Sequence, residues 1–214
     1  MALRFPRLYV IVDAGLMREP TTEIARKLIG AGVKMLQYRA KNVPAKEMLA
    51  SARELAGLAR SAGARFFVND RPDVAYLSKA HGVHVGQDDL DVEEARAVVG
   101  PEAWVGLSTH NIEQFEKAAR SSADYIAIGP IFETTSKVNP DRVVGLELVR
   151  RARHLTERPV VAIGGITLER AAEVIDAGAD SVAVISDILG AEDPAERASQ
   201  YLRRLEAAKP AANH

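Results

Sequence analysis

Short apolar runs alternate with longer stretches of helical periodicity along almost the whole chain. Residues 8–13 (LYVIVD) form an apolar run, and 22–31 follow with apolar positions at helical spacing. The same pair then recurs. Strands are expected at 35–40, 65–70, 82–86, 104–109, 124–129, 159–165 and 181–187. Helical patterns cover 44–62, 72–78, 92–99, 111–120, 146–156, 168–177 and 194–207. Pro44 stands near the start of its helix, where a missing N–H costs little. Ala31-Gly32, Ala62-Gly63 and Ala177-Gly178 each close a helix just before a strand, where glycine accepts the left-handed conformation.

Strands separated by helices pair in parallel. Eight such units predict a closed (β/α)8 barrel, with 214 residues near the small end for that fold. A doubly wound open sheet is the structural alternative. Neither a linker nor a low-complexity segment interrupts the pattern, so 1–207 is expected to be one barrel domain and 208–214 a disordered tail.

Composition narrows the function classes. A net charge of -1 with 27% charged and 47% hydrophobic residues describes a globular chain with a substantial core. That balance gives no general attraction to nucleic acid or to an anionic membrane. Small molecules are the expected partners, a homodimer is left open, and any anion binding must come from local clusters. The absence of cysteine excludes disulfides and thiolate metal sites. With no run of 18 or more apolar residues and no leader-like N-terminus, the default location is the cytoplasm.

In a barrel of this kind the chemistry lies where the strands end. Strand two ends with Gln37, Arg39 and Lys41 on one face and Leu36, Tyr38 and Ala40 on the other. An amide and two cations facing inward are costly without an anion, although Arg39 could instead pair with an acid on a neighbouring strand. Asn69-Asp70-Arg71-Pro72 closes strand three, and His84, Asp88 and Asp89 belong to strand four and its loop. Asp70 with Asp88 or Asp89 would place two carboxylates on adjacent loops, a donor set that suits Mg²⁺ beside phosphate oxygens. The competing role for Asp70 and Asp88 is helix N-capping. His84 faces inward, and a lone inward histidine is more often a satisfied core residue.

Strand five ends in Gly106-Leu107-Ser108-Thr109-His110-Asn111. Ser108 can donate to a phosphate and Asn111 can cap a helix, while no oxyanion motif supports Ser-His acyl transfer. Strand six runs into a long loop with Thr134, Thr135, Ser136 and Lys137. Read alone, this is a polar surface loop; read with the other strand ends, it is anion-binding. Gly164-Gly165 after strand seven, with Ile185 and Ser186 after strand eight, occupy a common phosphate-binding address of this fold, where glycine lets a ligand approach the backbone. Two anion regions result. One has Arg39, Lys41, Asn69, Lys137 and a metal, enough for pyrophosphate; the other has Gly164, Gly165, Ile185 and Ser186, enough for one phosphate.

Taken in order, Gln-x-Arg-x-Lys, Asn-Asp-Arg, Gly-Val-His-Val-Gly-Gln-Asp-Asp, Gly-Leu-Ser-Thr-His, Gly-Pro-Ile-Phe-x-Thr-x-Ser-Lys and Ala-Ile-Gly-Gly-Ile resemble the thiamine-phosphate synthase family. The resemblance implies a Mg²⁺-dependent transferase that joins hydroxymethylpyrimidine pyrophosphate to hydroxyethylthiazole phosphate by a dissociative substitution. By motif position it assigns Arg39, Lys41, Asn69, Ser108 and Lys137 to pyrophosphate, and Asp70 and Asp89 to Mg²⁺. Gln37 and His84 would line the pyrimidine pocket. Thr134, Ser136, Gly165, Ile185 and Ser186 would hold the thiazole phosphate. Two positions depart from the family pattern: Ala40 replaces an acid on the outward face, and Ser136 replaces threonine. The related thiazole tautomerase, with His110 as acid-base group, is the competing enzyme, and a non-catalytic phosphate-ligand sensor is the competing class. The length and position of 132–144 predict that it closes over bound substrates.

Overall fold

The computed structural model describes residues 5–17, 19–134 and 141–208. Eight parallel strands, β1 (Leu8–Asp13), β2 (Met35–Arg39), β3 (Arg65–Asn69), β4 (Gly82–Val85), β5 (Trp104–Thr109), β6 (Tyr125–Ile128), β7 (Val160–Ile163) and β8 (Ser181–Val184), close in sequence order into a barrel. The predicted closed barrel is therefore the observed one, and the open sheet is not.

The helices outside it are α1 (Thr21–Gly30), α2 (Ala45–Ser61), α3 (Pro72–Ser78), α4 (Val92–Val99), α5 (Ile112–Arg120), α6 (Gly145–Arg153), α7 (Ala171–Asp176), α8 (Ser186–Leu189) and α9 (Pro194–Ala207). Two strands stop two or more residues short of expectation for local reasons. Strand seven stops at Ile163, because Gly164 and Gly165 both turn to positive φ, at 99° and 62°. Strand eight stops at Val184, and Ser186 opens a short helix where the sequence pattern continued the strand to 187.

Alternation along each strand divides the apolar residues between two cores. The outward positions, such as Val10, Leu36, Val68 and Ile126, pack under the helices. Ala40 joins that outer core, as its outward register requires. The inward positions Tyr9, Ile11, Met35, Phe67, Tyr125 and Val161 fill the barrel itself. Large aromatics there demand missing side chains opposite. A Cβ on Gly106 would lie 2.1 Å from the Tyr125 ring, and one on Gly82 would lie 2.8 Å from the Phe67 ring as well as 2.1 Å from the Trp104 carbonyl oxygen. These glycines are space for aromatic rings.

The barrel's N-terminal end is tied by a repeated device. The residue preceding an even strand reaches back to the strand before it. His81 Nδ1 accepts from Phe66 N–H at 3.1 Å, Asp124 from Val105 N–H at 2.7 Å, and Asp180 from Val160 N–H at 2.8 Å. Asp124 and Asp180 also accept from an arginine of a preceding helix, Arg96 at 2.6 Å and Arg153 at 2.7 Å. Arg153 in turn donates to the carbonyls of Thr156 and Arg158, fixing the turn into β7.

Removing Asp180 leaves both a strand N–H and a guanidinium short of a partner. Asp180→Ala is expected to lower stability by about 1–3 kcal/mol, read from the urea midpoint. Its position at the end remote from the strand C-termini predicts unchanged ligand binding there.

Candidate active site

The C-terminal ends of the strands surround a cavity of about 450 Å³. It gathers Gln37, Arg39 and Lys41 from β2 and its loop, and Asn69 and Asp70 from β3 and its loop. His84 and Asp89 enter from β4 and its loop, Ser108 from β5, and Thr134 from the loop after β6. Gly165, Ile185 and Ser186 complete the far wall. Ser136 and Lys137, expected in the two anion regions, lie outside the described residues.

Arg39 is paired as well as placed. Its register partner on β1 is Asp13, and the two side chains form a close ion pair. Asp13 is only 6% exposed and its other oxygen accepts from Gly15 N–H at 2.9 Å. The neighbouring-acid alternative for Arg39 is thus realised, while the guanidinium still faces the cavity. Asp13, which pairs with the cavity-lining Arg39, is a supporting residue that the sequence reading missed. Its signal was a carboxylate closing an apolar strand next to the strand that carries Arg39.

Asp70 sits in the left-handed region at φ 61°, and its N–H donates to the His84 carbonyl at 2.8 Å. This fixes its carboxylate on the rim, within hydrogen-bonding reach of Asp89. Burial raises the Asp70 pKa to about 6; the Asp89 carboxylate adds to the rise, and Lys41 and Arg39 oppose it. Lys41 Nζ stands 3.9 Å from Asp70 in a half-exposed position. Asp89 accepts from Gly86 N–H at 2.7 Å, which folds its loop back toward Asp70. The capping role does not apply. Asp91 caps α4 in a reciprocal box with Glu94, and Arg71 precedes α3 without a side-chain cap. Asp89, the acid that the family resemblance assigned, is the one that meets Asp70.

The facing Asp89 carboxylate makes ionised Asp70 less favourable, and a cation held between the two would relieve that repulsion. Among the described residues no group of three metal-binding side chains exists. Asp70 and Asp89 therefore offer a partial oxygen set. That suits an ion which keeps waters and takes its remaining ligands from substrate phosphates, as Mg²⁺ does.

His84 is buried and bonded at both nitrogens, Nδ1 to Tyr125 OH at 2.9 Å and Nε2 to Ser108 Oγ at 2.8 Å. Burial pushes its pKa down to about 4, so the ring is neutral near pH 7. His110 Nδ1 lies 2.8 Å from the Gly129 carbonyl oxygen and 3.6 Å from Asp141 Oδ2. Asn111 caps α5 by accepting from Gln114 N–H at 2.9 Å, as predicted.

The glycine pair after β7 needs a corrected reason. A Cβ on Gly164 would lie 2.5 Å from Pro130 Cβ, and one on Gly165 would lie 2.2 Å from the Glu133 carbonyl oxygen. The backbone that approaches them is the chain's own. Ile131 N–H donates to the Ile163 carbonyl at 2.9 Å and Phe132 N–H to that of Gly164 at 3.0 Å. The first residues of the loop after β6 are thereby zipped onto the end of β7, and Gly165 remains part of the cavity wall.

Comparison with known proteins identifies the family. The family model described as thiamine monophosphate synthase matches residues 8–188. A thiamine-phosphate synthase of Koribacter versatilis is 54% identical over 208 residues, covering 95% of this chain and 97% of that protein. The thiamine-phosphate synthase of Chloroflexus aurantiacus is 44% identical, covering 93% and 92%. Among solved structures, thiamine phosphate pyrophosphorylase from Pyrococcus furiosus superposes with a TM-score of 0.87 at 37% identity, covering 94% and 96%. The chain belongs to the thiamine monophosphate synthase family. Among the described residues no helix is long and apolar enough to cross a membrane.

A buried histidine with a depressed pKa links stability to pH. As pH falls, the unfolded chain protonates near 6.5, while folded His84 resists until about 4. Its contribution is complete above pH 6.5 and lost toward pH 4. Between those limits wild type should lose about 3 kcal/mol more than His84→Gln, measured by urea unfolding at each pH.

Proposed function

We propose that the chain is a thiamine-phosphate synthase. It would join hydroxymethylpyrimidine pyrophosphate to hydroxyethylthiazole phosphate and release pyrophosphate. The observation that carries this reading is the meeting of Asp70 and Asp89 with Arg39, Lys41, Asn69 and Ser108 around one cavity, in a member of this family. A thiazole tautomerase would need an acid-base group such as His110 but not that surrounding clamp. The names of the relatives favour the synthase as well.

The chemistry asked of the chain is modest. The bond between the pyrimidine methylene carbon and the pyrophosphate oxygen breaks, and both electrons leave with pyrophosphate. The thiazole nitrogen then supplies the pair that forms the new carbon–nitrogen bond. Arg39, Lys41, Asn69 and Ser108 would hold the leaving group and stabilise its growing charge, with Lys137 completing the clamp. Gln37 and His84 would orient the pyrimidine ring. Thr134 and Ser136, with the backbone at Gly165, Ile185 and Ser186, would hold the thiazole phosphate in line. Asp70 and Asp89 would hold Mg²⁺, which when bound neutralises charge on the departing pyrophosphate. Keeping water from the reacting carbon would protect the cation from capture as an alcohol. A cytoplasmic location, expected from the sequence, suits a biosynthetic transferase.

The direct test is to mix both substrates with Mg²⁺ and assay thiamine phosphate. Product formation is expected; conversion of a thiazole carboxylate phosphate isomer without condensation would favour the tautomerase. Asp70→Ala and Lys137→Ala are each expected to cut turnover by roughly 10²–10³ while leaving the circular dichroism spectrum unchanged. Near-normal pyrophosphate release by either variant would contradict the assignment.

A further inference from the structure

Five side chains from five strands form one continuous hydrogen-bonded chain through the barrel interior. Gln37 Nε2 lies 2.8 Å from Tyr9 OH, and Tyr9 OH lies 3.0 Å from Tyr125 OH. Tyr125 OH lies 2.9 Å from His84 Nδ1, and His84 Nε2 lies 2.8 Å from Ser108 Oγ. Gln37 and Ser108 face the cavity, whereas Tyr9 and Tyr125 are 1% and 0% exposed and stay behind it. Neither tyrosine hydroxyl has another hydrogen-bond partner among the described residues.

Counting protons gives the chain a direction. The amide nitrogen of Gln37 can only donate, so Tyr9 oxygen accepts. Tyr9 has one proton, and its acceptor is Tyr125 oxygen. The single Tyr125 proton then goes to His84 Nδ1. A neutral imidazole that accepts at Nδ1 carries its proton on Nε2 and donates it to Ser108 Oγ. The Ser108 proton is thereby free to point into the cavity.

Turning the Gln37 amide over reverses every bond. Tyr9 then donates to Gln37 Oε1, Tyr125 to Tyr9, His84 Nδ1 to Tyr125, and Ser108 to His84 Nε2. In that state Ser108 offers the cavity only lone pairs. Mixed states leave a buried hydroxyl proton without an acceptor, at a cost of about 1–3 kcal/mol. The chain therefore has two whole states, and an anion beside Ser108 favours only the first.

We propose that this chain is a proton-orienting relay, in which Gln37, Tyr9, Tyr125 and His84 fix the Ser108 hydroxyl as a donor to the leaving pyrophosphate. The same state presents Gln37 Oε1 to the pyrimidine end of the cavity, where a ring amine can donate to it. A donor at one end and an anion at the other thus stabilise one arrangement of protons, and the two sites bind cooperatively. Tyr9 and Tyr125 are positioning residues in this scheme: they touch no substrate and no proton leaves the chain. The inference rests on the synthase reading for the identity of its two ligands.

The test measures calorimetric affinity for inorganic pyrophosphate with Mg²⁺, alone and with the hydroxymethylpyrimidine alcohol. In wild type the alcohol should tighten pyrophosphate binding by about 5-fold or more. Tyr9→Phe and Tyr125→Phe keep the rings, and each should abolish that coupling while leaving the affinity for thiazole phosphate unchanged. Nitrogen NMR of wild type with pyrophosphate should show the His84 proton on Nε2, a readout that does not depend on either variant folding. A proton on Nδ1, or full coupling in both variants, would overturn the relay. Failure of wild type to bind pyrophosphate at all would overturn the synthase reading and the relay with it, and so tells the two failures apart.

Discussion

A closed parallel barrel brings every strand's C-terminal end to one rim, and this constraint organises the rest of the molecule. Residues far apart in sequence, such as Arg39, Asp70 and Ser108, line one cavity only because the sheet closes. It also exposes them to a common penalty. Charges at the mouth of a packed barrel lose part of their water and must find partners. Asp13 finds Arg39, and Asp70 stands between Asp89 and Lys41.

The balance among these groups bears on what the rim can hold. Asp13, Asp70 and Asp89 together oppose Arg39 and Lys41. Without more positive charge this part of the rim is a poor trap for a polyanion. In the proposed reading a divalent ion between Asp70 and Asp89 reverses that sign, so the carboxylates become the means by which pyrophosphate is held. Deeper in the barrel the polar problem is solved without charge. His84 is kept neutral by burial, and Gln37, Tyr9, Tyr125 and Ser108 satisfy one another in sequence.

Much of this was legible in the chain. Alternating periodicities named the barrel, and reading the last residues of each strand named most of the cavity wall, because strand register and rim position follow from pattern alone. Pairings were harder to read. That Asp13 sits opposite Arg39 depends on the shear of the barrel, which no local pattern records. Tyr9 and Tyr125 read as core residues, and their hydroxyl contact requires knowing which inward rings meet. Gly164-Gly165 was assigned to ligand approach, yet the backbone of residues 130–133 is what occupies that space. Spacing alone left Asp88 or Asp89 open and the family resemblance pointed to Asp89; the turn that Asp89 stabilises at Gly86 is what no local pattern records.

The claim that a cation held by paired carboxylates turns an acidic part of the rim into a pyrophosphate site is most directly tested by titrating wild type with pyrophosphate, with and without Mg²⁺. Affinity is expected to rise by about 100-fold or more when the cation is present, as for an interaction made through charge-assisted contacts. Equal affinity in Mg²⁺ and in chelator would contradict it.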